Sequence, residues 1–323
     1  MNNSFYYVLC AEPFVAVMFE HEVLHNVAAV DELVKAHPAA RLLLQLGFER
    51  ETDKAADELA NAVKGFCARH EKVQMVVLAN AANEATALTQ RGVRAMLCSH
   101  NVFLDESRYA ILPARKVYDA AYLARITPFK RHQLVPNDAP EKIMLLGCGN
   151  HPSEEEYAHG VHERLKGARF VWAFRGLDVS RHLAAAWCGL ALSASEGAMF
   201  ASAEYFLCGL PVVNTPALGG RESTFPDGFT IDVESTPQAV RAGIQHWLEA
   251  KVDPREVRAA FLRKVAPFRK QYFELMRELT DGKRITSFPH KLGLRTPHPS
   301  RAFSMLARAY LLKQRMAMAL KGK

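Results

Sequence analysis

The sequence lacks several features that define whole classes of proteins. None of its six cysteines lies at CxxC spacing from another, which argues against a zinc ribbon or a dithiol redox centre. No apolar run reaches the roughly 18 residues of a membrane span, and the N-terminus has no basic region typical of a secretory signal. Internal repeats and low-complexity segments are absent as well. These absences favour a globular protein with reduced cysteines, and we expect a cytoplasmic location.

The composition is ordinary for a protein with a hydrophobic core, since 49% of the 323 residues are hydrophobic and 23% are charged. This length suits about two domains. The formal net charge of +7 and the pI of about 9.1 favour anionic partners, such as phosphates or a lipid surface. A merely soluble basic protein is an equally good interpretation of the charge alone.

Short apolar runs alternate with longer amphipathic ones, which predicts βαβ units and parallel sheets, and hence an α/β fold. The first series contains four predicted strands and three predicted helices, at 6–10, 41–46, 73–78 and 95–99, and near 14–35, 52–69 and 83–90. The second series contains six strands and four helices, at 118–124, 143–146, 170–174, 190–193, 211–214 and 229–233, and near 154–165, 178–187, 200–207 and 237–250.

A polar stretch at 104–116 separates the two series and suggests a domain junction. We therefore predict an N-terminal domain at 1–112 and a second domain at 113–280, whose last part, from 254 on, is helical with a kink or break at Pro267. Residues 281–323 are predicted as a linker and an amphipathic terminal helix. The basic face of that helix is open to two interpretations, contact with an anionic membrane surface or packing on the first domain.

The stretch 189–222 (GLALSASEGAMFASAEYFLCGLPVVNTPALGGRE) reads as a strand, a small-residue turn, a short helix, a second strand and a glycine turn. Glu196 follows the first strand, at the sheet edge where open α/β sheets bind ligands. The helix that begins near Met199 points its free amides and its positive dipole end at that place, which suits a phosphate. Glu204 follows eight residues later, and its carboxylate suits the hydroxyls of a ribose or a sugar.

This segment resembles the retaining glycosyltransferases of family four, which have the GT-B fold. The family has two glutamates separated by seven residues, then a Gly-x-Pro-Val strand entry and a glycine turn followed by a glutamate. The matching residues here are Glu196, Gly197, Glu204, Gly209, Pro211, Val212, Gly219, Gly220 and Glu222. The similarity covers about residues 117–250 and includes YLARITPFKRH, which matches the family's strand-end Arg and loop Lys.

The resemblance implies an α/β GT-B fold, with two Rossmann-like domains facing a cleft and a short N-terminal domain. It also implies a hexosyltransferase-class enzyme that moves a sugar from a nucleotide diphospho-sugar to an acceptor, with retention of the anomeric configuration. Glu204 would hold the nucleotide ribose and Glu196 would contact the transferred sugar. The donor diphosphate would be held by two cations and by the segment after Glu196, namely Arg125, Lys130, Gly197, Ala198, Met199 and Phe200.

His100, at a strand end of the first domain, is a further candidate, because the family often places a catalytic-site His on such a loop. The resemblance further implies a carbohydrate or glycolipid acceptor, no nucleic-acid partner, no cofactor and no metal. The chain has no Asp-x-Asp, the metal–diphosphate motif of the other major glycosyltransferase fold.

Two alternatives stay open. The short first domain, and Met199 in place of the family's second glycine, suggest a non-catalytic GT-B-like protein that binds a nucleotide sugar. The sequence His21-Glu22-Val23-Leu24-His25 also matches the HExxH signature of zinc hydrolases. Its third ligand would be Glu49 or Glu51, and it would leave the pattern at 117–222 unexplained.

Overall fold

The computed structural model describes residues 6–172 and 177–283, and these form two compact units. The first unit runs to Cys98 and also includes the described residues from Lys270 on. The second unit is Ser99–Arg269. The observed boundaries therefore lie about a dozen residues before those predicted at 112 and 280. The predicted terminal helix, and the linker from residue 284 on, lie outside the described residues.

The first unit is built on a five-stranded sheet. Its strands are β1 (Tyr6–Cys10), β2 (Val15–Phe19), β3 (Arg41–Gln45), β4 (Gln74–Ala79) and β5 (Ala95–Leu97), in that spatial order. Strand β1 is antiparallel to β2, and all other pairings are parallel. The helices are α1 (Glu20–His25), α2 (Val27–Ala36), α3 (Asp53–Arg69) and α4 (Ala82–Gln90).

Strand β2 corrects the prediction of a single helix near 14–35. Its residues read VAVMF, and all five are buried. A run that is apolar at every position fits a strand covered on both faces as well as it fits a buried helix, so periodicity alone does not separate the two. The helix begins only at Glu20, and α1 and α2 meet at Asn26.

The second unit is built on six parallel strands. They are β6 (Tyr118–Leu123), β7 (Ile143–Leu146), β8 (Arg169–Val171), β9 (Ala186–Ala191), β10 (Val212–Asn214) and β11 (Thr230–Asp232). The helices are α5 (Glu155–Arg164), α6 (Leu177–Leu183), α7 (Phe200–Leu207), α8 (Pro237–Ala250) and α9 (Pro254–Leu279), of which α9 belongs to this unit only as far as Arg269. Helix α9 is continuous through Pro267, so a break there is wrong, and a kink at Pro267 stays a prediction.

The strand order β11-β10-β9-β6-β7-β8 shows that the chain begins in the middle of this sheet. It moves outward through β7 and β8, returns to β9 on the other side of β6, and continues outward again. The segments that follow β6 and β9 therefore leave the same edge in opposite directions. Such a switch point is where open parallel sheets form a crevice for ligands.

Helix α7 packs closely against this sheet because Gly189 in β9 has no side chain. A Cβ atom at Gly189 would lie 2.3 Å from Cδ2 of Tyr205. The Tyr205 ring is fully buried, and its hydroxyl accepts a hydrogen bond from the Leu123 amide at 2.5 Å. The ring thus links α7 to both central strands, which fixes the helix above the switch point.

All six cysteines lie within the described residues and are free thiols. Among the described residues, no helix combines the length and the apolar character needed to cross a membrane.

Candidate functional site

The loops that follow β6 and β9 are joined to each other at the switch point. The Ala194 amide donates to the Phe129 carbonyl at 2.8 Å. The loop after β9 is also tied to the one after β10, because the Leu218 amide donates to Ala194 and the Glu196 amide donates to Leu218. Three neighbouring strand ends therefore hold the backbone that carries Lys130 and Glu196.

Lys130 and Glu196 form an ion pair at this place, with Lys130 Nζ donating to Glu196 Oε1. Ser193 Oγ donates to the same carboxylate oxygen at 2.7 Å. Both charged side chains are only 13% exposed. Burial lowers the pKa of Lys130, and the charge and hydrogen bond of Glu196 partly oppose that effect. The sequence predicts that these two residues contact the same ligand, and in the structure their side chains contact each other.

Arg125 leaves the end of β6, is exposed, and has no hydrogen bond or ion pair within the described part of the chain. Its positive charge contributes to the lowered pKa of Lys130, so the two cations are near each other. An exposed guanidinium beside a buried ammonium can contact an anion without first giving up a protein partner. The two cations proposed from the sequence thus lie near Glu196.

Two further arginines stabilise the loops around Lys130 and Glu196 by donating hydrogen bonds to backbone carbonyls. Arg131, in the left-handed region with φ 52°, donates to the carbonyls of Leu192 at 2.5 Å and Ser193 at 3.0 Å. Arg221 is fully buried and donates to the carbonyls of Ser193 at 2.9 Å and Thr215. These guanidinium groups hold the loop that ends in Glu196, because each binds several acceptors in a fixed planar arrangement.

Arg221 was not found from the sequence. It lies in the short 3-10 helix Gly220–Thr224, directly after Gly219 with φ 96°. A glycine turn followed by Arg and Glu is typical of an exposed loop, and no local signal shows that this Arg is buried.

The segment after Glu196 forms the entry to α7. Met199 precedes the helix with φ 53° and ψ 80°, in the left-handed region that favours glycine, at the position where the family has a glycine. The first amides of any α-helix have no acceptors within the helix, so the first turn of α7 directs donors and its dipole toward this edge. Gly197, Ala198, Met199 and Phe200 thus lie where the sequence predicts a phosphate cradle.

His100 and Asn101 lie against this entry. They belong to a 3-10 helix, His100–Phe103, in the second unit rather than in the first domain as predicted. The rings of His100 and Phe200 are 4.4 Å apart in an edge-to-face arrangement. Asn101 Nδ2 donates to the Ala198 carbonyl at 2.5 Å and to Thr224 Oγ1 at 3.2 Å. His100 is thereby brought to the segment proposed to hold the donor.

Glu204 has a different partner from Glu196. Tyr109 donates from its hydroxyl to Glu204 Oε1 at 2.7 Å. Burial raises the pKa of Glu204 to about 7, while the Tyr109 hydrogen bond and the charge of Arg108 act in the opposite direction. A carboxyl group with this pKa changes its charge near neutral pH. Tyr109 was also missed from the sequence, because it lies in the polar stretch interpreted as a junction.

The HExxH residues lie on α1 in the first unit. Glu22 is buried and accepts a hydrogen bond from Asn26 at 2.9 Å, and His21 Nε2 lies 3.2 Å from Glu22 Oε1. Within the described ranges, no group of three His, Cys, Asp or Glu side chains is arranged to hold a metal ion. Glu49 and Glu51 therefore do not complete the motif as a third ligand.

Comparison with known proteins supports the fold. No protein-family model and no curated protein matches the chain. Among solved structures, HepE of Anabaena, in complex with UDP, matches with a TM-score of 0.60 and 18% identity, over 81% of this chain and 78% of that one. Sucrose-phosphate synthase of Thermosynechococcus elongatus matches with a TM-score of 0.56 and 16% identity, over 82% and 79%. TarM matches with a TM-score of 0.58 and 12% identity, over 82% of this chain and 54% of that one.

These similar structures are glycosyltransferases of the GT-B fold. Together with the two Rossmann-like units, they confirm the predicted α/β fold class. At these identities the similarity concerns the fold, so what the chain binds must be argued from its own residues.

Proposed function

We propose that the chain is a glycosyltransferase that transfers a hexose from a nucleotide diphospho-sugar to a carbohydrate or glycolipid acceptor, with retention of the anomeric configuration. In this proposal Arg125 and Lys130 bind the donor diphosphate, and Glu204 binds the ribose. The segment of Gly197, Ala198, Met199 and Phe200 contacts the sugar and the phosphates. Glu196 contacts the transferred sugar, and His100 faces it.

One observation carries this proposal: Lys130 and Glu196 meet at the topological switch point of the second sheet, beside the N-terminus of α7. The site then offers cations, helix amides and a carboxylate within one small region. A diphosphate requires the cations and the amides, and a sugar with its hydroxyls requires the carboxylate. Few ligands other than a nucleotide sugar or a phosphorylated sugar combine a phosphate group with sugar hydroxyls.

The reaction forms a bond between the acceptor oxygen and the anomeric carbon and breaks the bond from that carbon to the diphosphate oxygen. The electron pair of the broken bond leaves with the diphosphate, and the acceptor hydroxyl gives its proton to the departing diphosphate oxygen. Lys130 and Arg125 would stabilise the negative charge that develops on the leaving oxygen, as preorganised donors do. Because Lys130 is paired with Glu196 in the free protein, donor binding would redirect the ammonium to a phosphate oxygen. Glu196 would then be available to accept hydrogen bonds from sugar hydroxyls.

The donor assignment is tested by a thermal-shift screen with UDP-, GDP-, ADP- and dTDP-sugars, followed by calorimetric titration of the best ligand. Lys130→Ala and Glu204→Ala should each weaken binding by about 10- to 100-fold, the range expected for losing a hydrogen-bonded or charged contact. Lys166→Ala and Glu163→Ala are matched controls, because both residues are exposed near the end of α5, ahead of β8 and away from the switch edge. Unchanged binding in both site variants would contradict the site assignment.

Turnover tests the remaining parts of the proposal. The anomeric configuration of the product, read by NMR coupling constants, tests retention, and activity after EDTA treatment tests independence from metal. The short first domain, which reaches only to Cys98 before the second unit begins, is the observation behind the alternative of a non-catalytic nucleotide-sugar-binding protein. Tight donor binding without transfer or hydrolysis would favour that alternative.

We further propose a cytoplasmic location with peripheral contact to anionic membrane. Cosedimentation with anionic vesicles tests the membrane contact.

A further inference from the structure

Tyr109 and Glu204 form a hydrogen bond that shares no residue with the Lys130–Glu196 ion pair. Tyr109 belongs to a different segment of the chain from Lys130 and Glu196. Tyr109 follows a short 3-10 helix, Glu106–Arg108, and is half-buried. Its hydroxyl donates to Glu204 Oε1 at 2.7 Å, the only side-chain hydrogen bond that the described residues give to that carboxylate. One carboxylate oxygen is thus occupied by the protein, and the other remains for a ligand.

Arg258 of α9 fixes the backbone on both sides of this hydrogen bond. Its Nη1 donates to the Tyr109 carbonyl at 2.8 Å and to the carbonyl of Leu207 at the end of α7. Its Nη2 donates to the Glu106 carbonyl at 2.8 Å. One guanidinium therefore joins the segment that carries Tyr109 to the helix that carries Glu204. A hydrogen bond between two segments held in this way has a defined geometry.

Arg269, further along α9, holds the beginning of the same segment. It donates to the Val102 carbonyl at 2.9 Å and pairs with the Glu106 carboxylate at 2.6 Å. The Ala110 amide donates to Ser180 Oγ at 3.0 Å on the far side of Tyr109. The stretch interpreted from the sequence as a domain junction is thus an anchored part of the second unit.

We propose that Tyr109 is a positioning residue for nucleotide binding, whose hydroxyl holds Glu204 Oε1 so that Glu204 Oε2 accepts a hydrogen bond from a ribose hydroxyl. This inference rests on the proposed function and names a residue that neither the sequence motif nor the fold assigns. A carboxylate held at one oxygen has lost much of its rotational freedom before the ligand arrives. Preorganisation of this kind strengthens binding without a direct contact between Tyr109 and the ligand.

The inference can be tested by measuring binding at different pH values, because the charge of Glu204 depends on pH. The titratable and charged groups that face Glu204 are Arg108 and Tyr109 from the preceding segment, Tyr205 and Cys208 from its own helix, and Arg258 beside Cys208. Tyr109, Tyr205 and Cys208 are neutral near pH 7, because burial raises the pKa of each. Glu204 is therefore the member of this group that titrates near neutrality. Only its ionised form accepts a hydrogen bond at both oxygens, from Tyr109 at Oε1 and from a ribose hydroxyl at Oε2, so binding is full above pH 7 and falls as the pH drops through 7.

The experiment measures the dissociation constant of a nucleotide sugar between pH 5.5 and 9 by calorimetric titration. UDP-glucose, GDP-mannose and ADP-glucose are the probes, because they lack the terminal phosphate group that itself titrates near pH 6 in nucleoside diphosphates. Tyr109→Phe is the test variant. Tyr118→Phe is the matched control. Tyr118 lies at the start of β6, whereas the site lies past the other end of that strand, and its side chain makes no hydrogen bond within the described part of the chain.

We expect Tyr109→Phe to weaken binding about 5- to 20-fold at pH 7, in line with the loss of a hydrogen bond to a charged group. The midpoint of the pH profile should also move to higher pH by about one pH unit, because the variant keeps the burial and loses the donor. Glu204→Gln should give a flat profile, and Tyr118→Phe should follow the wild type. A merely structural role of Tyr109 would change the affinity or the melting temperature without moving the midpoint.

The outcomes separate this inference from the proposed function. If the wild-type protein binds none of the probes, the proposed function fails and the inference with it. If the wild type binds and Tyr109→Phe has the same affinity and the same midpoint, the inference alone is overturned. A wild-type profile that is flat across pH 7 overturns the role given to Glu204, on which the inference depends.

Discussion

The Lys130–Glu196 ion pair provides the sharpest test of how the second unit is held together. We consider the replacement of Lys130 by Met, the replacement of Glu196 by Gln, and the double variant. Met keeps the length and much of the volume of Lys without its charge, and Gln keeps the shape of Glu. The three variants and the wild type form a double-mutant cycle, which isolates the energy of the pair from the other contacts of each residue.

The magnitude follows from the burial of the pair. Removing one partner of a fully buried ion pair costs about 3–5 kcal/mol, because the remaining charge is left without compensation. Here each side chain is 13% exposed, and Ser193 still donates to Glu196 at 2.7 Å, so water and a hydroxyl compensate part of the loss. We therefore expect Lys130→Met to lower the free energy of unfolding by about 2–3 kcal/mol. Glu196→Gln keeps an oxygen that accepts a hydrogen bond from the ammonium and should lose about 1 kcal/mol. The double variant leaves no unpaired charge and should also lose about 1 kcal/mol, which corresponds to a coupling of roughly 2–3 kcal/mol.

Tryptophan fluorescence during urea unfolding is a suitable assay, because all three tryptophans of the chain, Trp172, Trp187 and Trp247, belong to the second unit. The signal therefore reports the unit that contains the ion pair. Lys264→Met is the control, since Lys264 pairs at 3.4 Å with Asp227, whose side chain is 96% exposed. That variant should change stability by less than about 0.5 kcal/mol, as is typical of surface pairs. A coupling below about 0.5 kcal/mol for Lys130 and Glu196 would refute the reasoning.

Two further predictions concern the packing of α7. Gly189→Ala places a Cβ 2.3 Å from the fixed Tyr205 ring and should destabilise the second unit by about 3 kcal/mol in the same urea assay. Gly160→Ala, in α5 with no atom within 4 Å of the new Cβ, should instead stabilise it by about 0.5–1 kcal/mol, and equal effects would contradict the packing argument. Met199→Gly relieves about 1 kcal/mol of backbone strain and loses about 2–4 kcal/mol of side-chain burial, so a net loss of about 1–3 kcal/mol is expected. A calorimetric increase in melting temperature would show that strain outweighs burial at this position.

Much of the second unit could be predicted because its local signals agree with its tertiary structure. The bounds predicted for α7 and α8 are those observed, Phe200–Leu207 and Pro237–Ala250. Helix α8 has Thr236 as its N-cap and Pro237 in its first turn, and both are strong start signals. The meeting of Lys130 and Glu196 was also predictable, because both follow strands of a parallel sheet, and the ends of parallel strands share one edge.

The parts that could not be predicted depend on contacts between distant residues. Strand β9 begins at Ala186, four residues before its predicted start, because its register is set by pairing with β6 and β10. Tyr109 and Arg221 lie in polar stretches that look exposed, and each becomes important only through partners far away in the sequence. Periodicity and turn chemistry describe near neighbours, whereas buried polar pairs are decided by the tertiary structure.

The use of arginine at the switch point has a consequence for how a charged ligand would approach. Of the four cations near Glu196, three already bind protein acceptors, and Arg125 alone is exposed without a partner within the described residues. Lys130 is neutralised by Glu196, and Arg221 Nη2 lies 3.8 Å from Glu222 Oε1, whereas Arg131 binds only neutral acceptors. Long-range attraction of an anion by the site therefore comes from about two uncompensated charges, those of Arg125 and Arg131. We expect association to slow moderately as the ionic strength rises, because salt screens these two charges at distances beyond about 10 Å. The charges that draw an anion to this sheet edge are thus partly distinct from the Lys130–Glu196 pair that meets it on contact, so Arg125→Ala should mainly slow association and Lys130→Ala should mainly speed dissociation.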